Sequence, residues 1–256
     1  MKILASDYDG TLKHGELVLE EDILAIKRWR KEGNLFVIDT GRSMESILQE
    51  VERYQIPVDY YVTNNGGMVF DAKQDEMFSS YLGEIMGLDV IYIAKQVGHV
   101  VSYVVNDGFH RHRVVVDQDL VEKRYPELKP DLEEEDLMKL GKYAQLVISM
   151  ESMEDAAALA LRINVHFPGQ AVAYANKYVV DVVPYGVSKA RGLAFLCESV
   201  GAAIEDVYAV GDAGNDIDLI TFGLHGACMR SGMAEAKQHA RYLCDGVGEL
   251  INAILP

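Results

Sequence analysis

Two aspartates near the start of the chain, Asp7 and Asp9, follow a short apolar run and precede a Gly-Thr pair. The run Ile3-Leu4-Ala5 is typical of a buried parallel strand, and Gly10 permits a sharp exit from it. Carboxylates two residues apart project to one side where a strand ends, and they repel unless a cation separates them or one is protonated. At the carboxyl end of a central strand this indicates a working site. An Asx-turn with a solvated neighbour explains an Asp-Gly pair equally well.

A second acidic cluster, with Asp212 and Asp216, follows the apolar run Val207-Tyr208-Ala209-Val210. If both runs are strands of one sheet, their carboxylates converge on one edge, and that convergence is costly without a bound metal. Hard carboxylate oxygens with no His or Cys cluster nearby select Mg²⁺ over zinc or copper. We therefore predict Mg²⁺ as the cofactor, near Asp7, Asp9, Asp212 and Asp216.

Two further segments have the residue types of an anion site. Thr40 and Gly41 stand where a predicted strand meets a helix, so a hydroxyl and backbone N–H groups could hold a phosphate. An ordinary turn with Ser43 as the helix N-cap is the commoner explanation of such a segment. Lys189 follows the N-cap candidate Ser188 in the first turn of another helix, where a cation opposes the helix dipole unless it faces an anion.

Composition narrows the classes of protein. A chain of 256 residues that is 49% hydrophobic and 25% charged is typical of a globular protein with a sizeable core. Its net charge of −16 argues against a nucleic-acid partner, because phosphate backbones are bound by clustered Lys and Arg. We expect no membrane span and, without a signal-peptide pattern, a cytoplasmic location. The three cysteines indicate neither a disulfide framework nor a zinc site.

The order of apolar segments predicts the architecture. Strands and helices alternate through 1–79 and 184–256, which predicts a doubly wound parallel sheet. Residues 80–183 mix hairpins with helices, which predicts an inserted α+β module. Within it we expect polar helical pieces at about 119–140, with a solvated acidic run. Its basic hairpin tip, His110 to Arg113, is explained by exposed strand alternation at least as well as by ligand contact.

Four motifs, taken in order, resemble the haloacid dehalogenase-like phosphatases. They are Asp7-Tyr8-Asp9-Gly10-Thr11, Thr40-Gly41-Arg42, Lys189, and Gly211-Asp212-Ala213-Gly214-Asn215-Asp216. The insertion between the second and third motifs looks like the α+β cap of the Cof-type sugar phosphatases, and Thr63-Asn64-Asn65-Gly66-Gly67 and Gly186-Val187-Ser188-Lys189 are similar to that branch. The resemblance spans essentially the whole chain. It implies a Rossmann-like α/β core with an inserted cap domain.

The resemblance also implies roles for these residues. Asp7 would be the nucleophile that forms an aspartyl-phosphate, and Asp9 would be the general acid and then the base. Asp7, the Asp9 backbone carbonyl and Asp212 would hold Mg²⁺, with Asp216 as a further ligand or behind it. The remaining candidates are Thr11, Thr40, Gly41, Lys189 and Asn215 for the phosphate, and Arg42, Asn65, His110 and Lys177 for the rest of the substrate. The partner would be a small phosphorylated metabolite, with a sugar phosphate as the leading class, and the protein a monomer or homodimer.

Two departures and two rival functions accompany the resemblance. Asp39 stands where a small residue is usual, and Met229-Arg230-Ser231-Gly232 replaces the usual Met-Gly-Asn-Ala. A phosphomutase of the same superfamily would share all these residues and pass the phosphate to a second hydroxyl. A non-enzymatic receiver-like module also has an acidic pair after its first strand, and Asp39 could be its phosphoacceptor. It needs neither the second acidic cluster nor the insertion.

Overall fold

The computed structural model describes residues 1–255, without the side chain of Met138. Its strands are β1 Ile3–Ser6, β2 Lys13–His14, β3 Leu17–Val18, β4 Leu35–Asp39, β5 Tyr60–Thr63, β6 Met68–Asp71, β7 Glu76–Ser79, β8 Val100–Asn106, β9 Arg111–Val115, β10 Gln145–Met150, β11 Ala171–Asn176, β12 Val179–Pro184, β13 Val207–Gly211, β14 His225–Met229 and β15 Tyr242–Cys244. Its helices are α1 Glu20–Lys31, α2 Met44–Tyr54, α3 Glu84–Val97, α4 Leu137–Leu140, α5 Met153–His166, α6 Lys189–Val200, α7 Ile217–Phe222, α8 Ala234–His239 and α9 Val247–Ile254.

The chain forms two compact units. The core unit takes in Met1–Arg42, Ile47–Phe78 and the chain from Ser188 onward. The inserted unit takes in Ser79–Val187 together with the short segment Ser43–Ser46. No helix of the described residues is long and apolar enough to cross a membrane.

The core unit is built on one sheet, with the strand order β15-β14-β13-β1-β4-β5-β6-β7. The pairs from β15 through β5 are parallel, and β6 runs antiparallel to β5. The strand order reverses beside β1, so β1 and β13 flank the switch point at which open α/β sheets bind ligands. The predicted doubly wound α/β fold is confirmed.

The register of the central strands determines which residues meet at this edge. Ser6, the last residue of β1, pairs with Val210 of β13 and with Ile38 of β4. The next residues of the three strands are Asp7, Gly211 and Asp39, so these strands end level with one another. Parallel strands in register therefore bring residues far apart in sequence to one line.

Burial on both faces holds these central strands in place. All four residues of β1 are buried, as parallel strands covered by helices require. On one face Ile3 and Ala5 pack in a cluster with Leu193 and Leu196 of α6. Burying an isoleucine or leucine side chain contributes about 1.5–3 kcal/mol to the free energy of folding. Helix α6 ends before Gly201, which adopts the left-handed conformation common after a helix C-terminus.

The inserted unit has its own sheet, with the strand order β11-β12-β10-β8-β9 and antiparallel pairing throughout. Helices α3 and α5 contribute Val90, Ile91, Leu159 and Ile163 to its apolar core. This separate sheet with helices agrees with the α+β character predicted for the insertion.

The segment 119–133 corrects one expectation, because it contains no regular helix. Only the short 3₁₀ turn Glu134–Asp136 and α4 follow it. Pro126 and Pro130 interrupt the segment, and proline lacks the N–H that a helix interior requires. Instead Tyr125 and Leu128 pack beside Val104, Val147 and Val179. Tertiary packing therefore holds the segment in an irregular conformation.

The hairpin formed by β8 and β9 corrects a second expectation. Arg113 is buried, and its Nη1 donates to the carbonyl of Leu128 at 2.7 Å. Asp131 accepts from the Arg113 amide at 2.7 Å and pairs with His112 at 2.8 Å. Arg113 is therefore a structural residue of the inserted unit and not an exposed basic contact at the hairpin tip. The acidic run is engaged at Asp131, although most of its members remain exposed or half-buried.

Candidate active site

Asp7 stands at the end of β1, and its backbone amide still belongs to the sheet. That amide donates to the carbonyl of Val210 at 2.9 Å, so the backbone at Asp7 is held by β13. The residue is only 5% exposed. The Asp7 carboxylate therefore has a fixed backbone beneath it and little water around it.

Lys189 connects the two acidic clusters. Its Nζ donates to Asp7 Oδ1 at 2.6 Å and to Asp216 Oδ1 at 2.5 Å, and its side chain is 1% exposed. Burial opposes the ammonium charge, but Asp216 and Asp7 raise the pKa of Lys189 above its usual value. The Lys189 ammonium thus lies between two carboxylates. A cation in the first turn of a helix opposes the helix dipole, and these two carboxylates supply the anions that compensate for it.

Helix α6 presents Lys189 in the way its sequence predicts. Ser188 caps the helix by accepting from the backbone amide of Arg191 at 3.3 Å. The carbonyl of Ser188 lies against Gly66, where a β-carbon would be 1.9 Å from the Ser188 oxygen. Gly66 also has a φ of +93°, which favours glycine. The glycine therefore allows the start of α6 to approach the loop after β5.

Asp216 is oriented by the backbone as well as by Lys189. Its Oδ2 accepts from the amides of Asp212 and Ala213 at 3.0 and 2.9 Å. The side chain is buried, and both of its oxygens are engaged. Asp216 consequently holds the loop after β13 and the Lys189 ammonium together.

Three carboxylates around one cation leave an excess of negative charge. Oxygens of Asp7, Asp212 and Asp216 all lie within 4.8 Å of one another. Burial and the charge of Asp216 raise the pKa of Asp7 well above its usual value, and they raise the pKa of Asp212 as well. A divalent cation would relieve this repulsion, and an oxygen-only donor set suits Mg²⁺. The residues present therefore fit the predicted ion.

The turn after Asp9 brings the first acidic motif against the second. Thr11 is buried and donates from Oγ1 to Asp212 Oδ1 at 3.0 Å. Gly10 has a φ of +95°, and a β-carbon there would lie 2.6 Å from an oxygen of Asp212. A larger residue would displace the Asp212 carboxylate. The structure thus assigns Thr11 to the orientation of Asp212, while its predicted contact with phosphate stays a prediction.

Asp9 lies in a different environment from Asp7. Its two oxygens accept from Nη2 and Nε of Arg42, both at 2.6 Å, which makes a bidentate ion pair. The Asp9 side chain is 39% exposed, so it remains accessible to a ligand. Its carboxylate is not among the three that cluster for a metal. The metal contact predicted for Asp9 concerned its backbone carbonyl and stays a prediction.

The segment after β4 offers fewer free amides than the sequence indicated. The Thr40 amide donates to the carbonyl of Val62 at 2.8 Å, and the Arg42 amide donates to Thr40 Oγ1 at 3.2 Å. Among the described residues, the Gly41 amide is the one of the three with no acceptor assigned. An anion at this loop would therefore be held by the Gly41 amide and the Thr40 hydroxyl.

Asn65 joins this segment to Asn215. The Asn215 side-chain amide donates to Asn65 Oδ1 at 3.3 Å, and the Asn65 backbone amide donates to the carbonyl of Thr40 at 3.1 Å. Asn65 has a φ of +54°, a left-handed conformation that asparagine tolerates better than most residues. The phosphate candidates Thr40 and Asn215 are thus joined through Asn65, a candidate for substrate contact, in one hydrogen-bonded network.

Asp39 stands level with Asp7 at the end of β4, and it is fully buried. Neither of its carboxylate oxygens has a hydrogen-bond partner among the described residues. Burial raises the pKa of Asp39 well above its usual value, and Lys189 opposes that rise. A side chain without exposure is a poor phosphoacceptor, which argues against the receiver-like alternative.

The two remaining substrate candidates belong to the inserted unit. His110 follows the turn after β8 and lies 3.5 Å from Asp107 Oδ2. Lys177 is exposed in the hairpin between β11 and β12, with a φ of +55°. Neither residue takes part in the cluster of Asp7, Asp212 and Lys189, and their contact with substrate stays a prediction.

Sequence reasoning missed three residues of the site. Glu50 and Lys13 lie outside every motif, yet Lys13 Nζ donates to Glu50 Oε2 at 2.9 Å beside the first acidic motif. Tyr8 lies within the first motif but was given no role of its own, and it donates to the same Glu50 oxygen at 2.6 Å. The one signal in the sequence was the place of Glu50 on α2, seven residues after Ser43 and two turns into the helix. That spacing alone does not reveal a partner.

Comparison with known proteins agrees with this fold. The sequence model of the haloacid dehalogenase-like hydrolase family matches residues 4–251, so the chain belongs to that family. The predicted family and the predicted enzyme class, a phosphatase of this family, are confirmed.

Individual relatives cover almost the whole chain. The Bacillus subtilis 5-amino-6-(5-phospho-D-ribitylamino)uracil phosphatase YitU is 26% identical over 251 residues, covering 93% of this chain and 90% of that protein. A haloacid dehalogenase-like hydrolase from Bacteroides thetaiotaomicron has a TM-score of 0.83 at 23% identity, with 99% of each chain covered. The HAD subclass IIB sugar phosphatase BT4131 has a TM-score of 0.82 at 19% identity, also with 99% of each chain covered. The two structures show that this chain shares their fold.

Proposed function

We propose that this phosphatase is a Mg²⁺-dependent phosphomonoester hydrolase that acts on a small phosphorylated metabolite, a sugar phosphate, through an aspartyl-phosphate intermediate. One observation carries the proposal. A buried lysine joins the carboxylates of Asp7 and Asp216 where β1 and β13 flank the switch point of the sheet. The arrangement supplies a fixed nucleophile, a fixed cation and an excess of oxygen ligands in one place.

In the first step an Asp7 oxygen attacks phosphorus, and the bond from phosphorus to the leaving-group oxygen breaks. This forms an acyl phosphate on Asp7 and divides one difficult hydrolysis into two easier steps. Lys189 holds Asp7 through Oδ1, and we assign the attack on phosphorus to the other oxygen, Oδ2. Since phosphoryl transfer depends mainly on positioning and charge stabilisation, fixing this carboxylate is a large part of catalysis.

Proton transfer is the role we give to Asp9. As an acid it protonates the leaving-group oxygen, and as a base it then takes a proton from the water that attacks the acyl phosphate. Because Asp9 is 39% exposed while Asp7 is buried, Asp9 can reach both the leaving group and the incoming water.

The phosphoryl oxygens need donors that are already in place. The Thr40 hydroxyl, the Gly41 amide and the Asn215 side chain supply neutral donors, and Lys189 supplies charge. Asp7 and Asp212 would hold Mg²⁺ with Asp216 beside them, and a bound ion would supply positive charge against the phosphoryl oxygens. Preorganised donors of this kind stabilise the charge that develops at the transition state.

For the leaving group, we assign recognition to the inserted unit, with His110 and Lys177 as candidate contacts. The names of two similar proteins support a polyhydroxylated phosphate ester. One is called a sugar phosphatase and the other a phosphatase of a phosphoribitylamino compound.

Release of inorganic phosphate from a panel of phosphorylated metabolites, with and without Mg²⁺, tests this function. We expect hydrolysis of sugar or polyol monophosphates that depends on Mg²⁺ and on Asp7. Phosphate on a second hydroxyl of the product, without free phosphate, would identify a phosphomutase instead. Full activity in excess chelator would contradict the metal assignment.

A further inference from the structure

We infer that Glu50, a residue of α2 outside every motif, is a positioning residue that orients the carboxylate of Asp9 through Arg42. The inference rests on the proposed function, because it gives a reason for the placement of the general acid. Glu50, Arg42, Tyr8 and Lys13 all belong to the core unit that holds Asp9.

Glu50 is fixed by Tyr8, a residue of the first acidic motif, and by Lys13, which follows that motif in sequence. Its Oε2 accepts from the Tyr8 hydroxyl at 2.6 Å and from Lys13 Nζ at 2.9 Å. Tyr8 is fully buried and Lys13 is 8% exposed, so neither donor can readily turn to water. These bonds lower the pKa of Glu50 even though burial opposes its charge. The carboxylate is thus a charged anchor in one orientation.

Arg42 contacts the Tyr8 ring on one side and faces the Glu50 carboxylate on another. Its guanidinium lies over the Tyr8 ring, with 4.9 Å from the guanidinium carbon to the ring centroid. Its Nη1 lies 3.8 Å from Glu50 Oε1, the oxygen opposite the one that Tyr8 and Lys13 use. A planar cation stacked on a fixed ring and facing a fixed charge loses most of its rotational freedom.

Asp9 takes its orientation from Arg42. The two bonds of 2.6 Å to Nε and Nη2 fix the plane of the carboxylate as well as its position. An ordinary exposed ion pair would contribute little, since its members move independently. Here the arginine is stacked, faces a second carboxylate and is 24% exposed. The chain from Glu50 through Arg42 therefore sets where the acid meets a leaving-group oxygen.

The test compares two esters that differ in their need for an acid. An alkyl phosphate such as glucose 6-phosphate has a poor leaving group and needs the proton from Asp9. 4-Nitrophenyl phosphate leaves without it. Loss of a well-placed general acid typically costs about 10²–10⁴-fold. Because Glu50→Gln only loosens the acid, we expect kcat for the alkyl ester to fall about tenfold with KM nearly unchanged, and kcat for the nitrophenyl ester to change less than about twofold.

Three further variants sharpen the result. Glu52→Gln, an exposed change on the same helix, is the matched control and should leave both esters unaffected. Arg42→Lys keeps the charge but cannot make the bidentate pair, so it should reproduce the selective loss on the alkyl ester. The double variant should be no worse than Arg42→Lys alone, because both changes break one chain of contacts. Tyr8→Phe keeps the ring and removes one hydrogen bond to Glu50. It is the substitute test if Glu50→Gln does not fold, and the same selective loss on the alkyl ester is expected.

A crystal structure of Glu50→Gln decides the geometry without relying on turnover. We expect the Asp9 carboxylate to leave its bidentate contact with Arg42. An unchanged pair, an equal loss on both esters, or faster turnover of the alkyl ester would each overturn the inference. A parent enzyme that hydrolyses neither ester would instead contradict the proposed function, and the Asp9 geometry in the variant structure would still decide the role of Glu50.

Discussion

Asp7 and Asp9 are two residues apart and the same in chemical type, yet the structure gives them opposite surroundings. Asp7 is 5% exposed, bonded to Lys189 and close to two further carboxylates. The Asp9 side chain is 39% exposed and paired with Arg42 through both oxygens. Two carboxylates in different environments can take two roles, and this contrast supports our proposal that Asp7 is the nucleophile and Asp9 the acid.

The difference arises in two residues of backbone. Both residues follow Ser6, the last residue of β1, but the Asp7 amide still bonds to β13, whereas Asp9 stands at the turn that includes Gly10. The strand end therefore divides a buried position from an exposed one within a single motif. Substitutions at each position, and at the charges around them, test whether this division is functional.

The largest effect should come from Asp7→Asn. An amide cannot attack phosphorus as a carboxylate does, so turnover of every ester should fall by about 10⁴-fold or more. Phosphate release from purified protein measures the loss, and circular dichroism checks that the variant is folded. Substantial turnover in a homogeneous folded sample would show that another group is the nucleophile.

Asp9→Asn should have the next largest effect, and an uneven one. We expect a loss of about 10²–10⁴-fold on an alkyl phosphate and a much smaller loss on 4-nitrophenyl phosphate. Steady-state kinetics on both esters measures the ratio. Equal losses on the two esters would mean that Asp9 does not act as the acid, and the contrast with Asp7 would then lack a chemical basis.

Binding of Mg²⁺ should separate the two aspartates without any substrate. At a concentration 100 times its dissociation constant, an ion that binds only the folded state adds about 2.7 kcal/mol to the free energy of unfolding. The melting temperature of the parent should therefore rise with Mg²⁺. The rise should be lost in Asp212→Asn and kept in Asp9→Asn, because the Asp9 carboxylate is outside the cluster. A rise in Asp212→Asn equal to that of the parent would place the ion elsewhere.

Asp39 extends the comparison to a third strand end, where we expect the smallest effect. Since burial raises its pKa, the stability it contributes is fully present at low pH and is lost as pH rises through its folded pKa. Asp39→Asn mimics the protonated acid, so near neutral pH it should change the free energy of unfolding by less than about 1.5 kcal/mol. Thermal melts across pH should show the variant gaining on the parent as pH rises. A variant that is much less stable at neutral pH would mean that Asp39 is ionised.

Much of the fold was predictable from local pattern. Apolar runs that end in acid, and the alternation of strands with helices, predicted the doubly wound sheet and the edge at which Asp7 and Asp212 meet. The N-cap candidate Ser188 predicted the start of α6 at Lys189. These features depend on residues close in sequence, because strand burial, N-caps and left-handed glycines are set by a few neighbouring residues.

The segment 119–133 shows where local pattern fails. Its polar composition resembled helix, but its conformation depends on the contacts of Tyr125 and Leu128 with a sheet distant in sequence. Arg113 was assigned to an exposed tip for the same reason, since its partners Glu122 and Leu128 lie across a stretch without periodicity. Residues that are buried by an irregular segment do not recur at a regular spacing, so periodicity in the sequence does not reveal their burial.

By itself the sequence determined the family, the sheet and the residue types of the site. These follow from motifs and periodicity, which are properties of consecutive residues. Only the tertiary structure decided that Arg42 pairs with Asp9, that Glu50 lies beside Arg42, and that the Asp39 carboxylate is buried with no hydrogen-bond partner among residues 1–255. Each of these depends on distances between side chains on different elements. The register of β1 against β4 and the approach of α2 to the first acidic motif fix those distances, and neither is encoded in any one stretch of the chain.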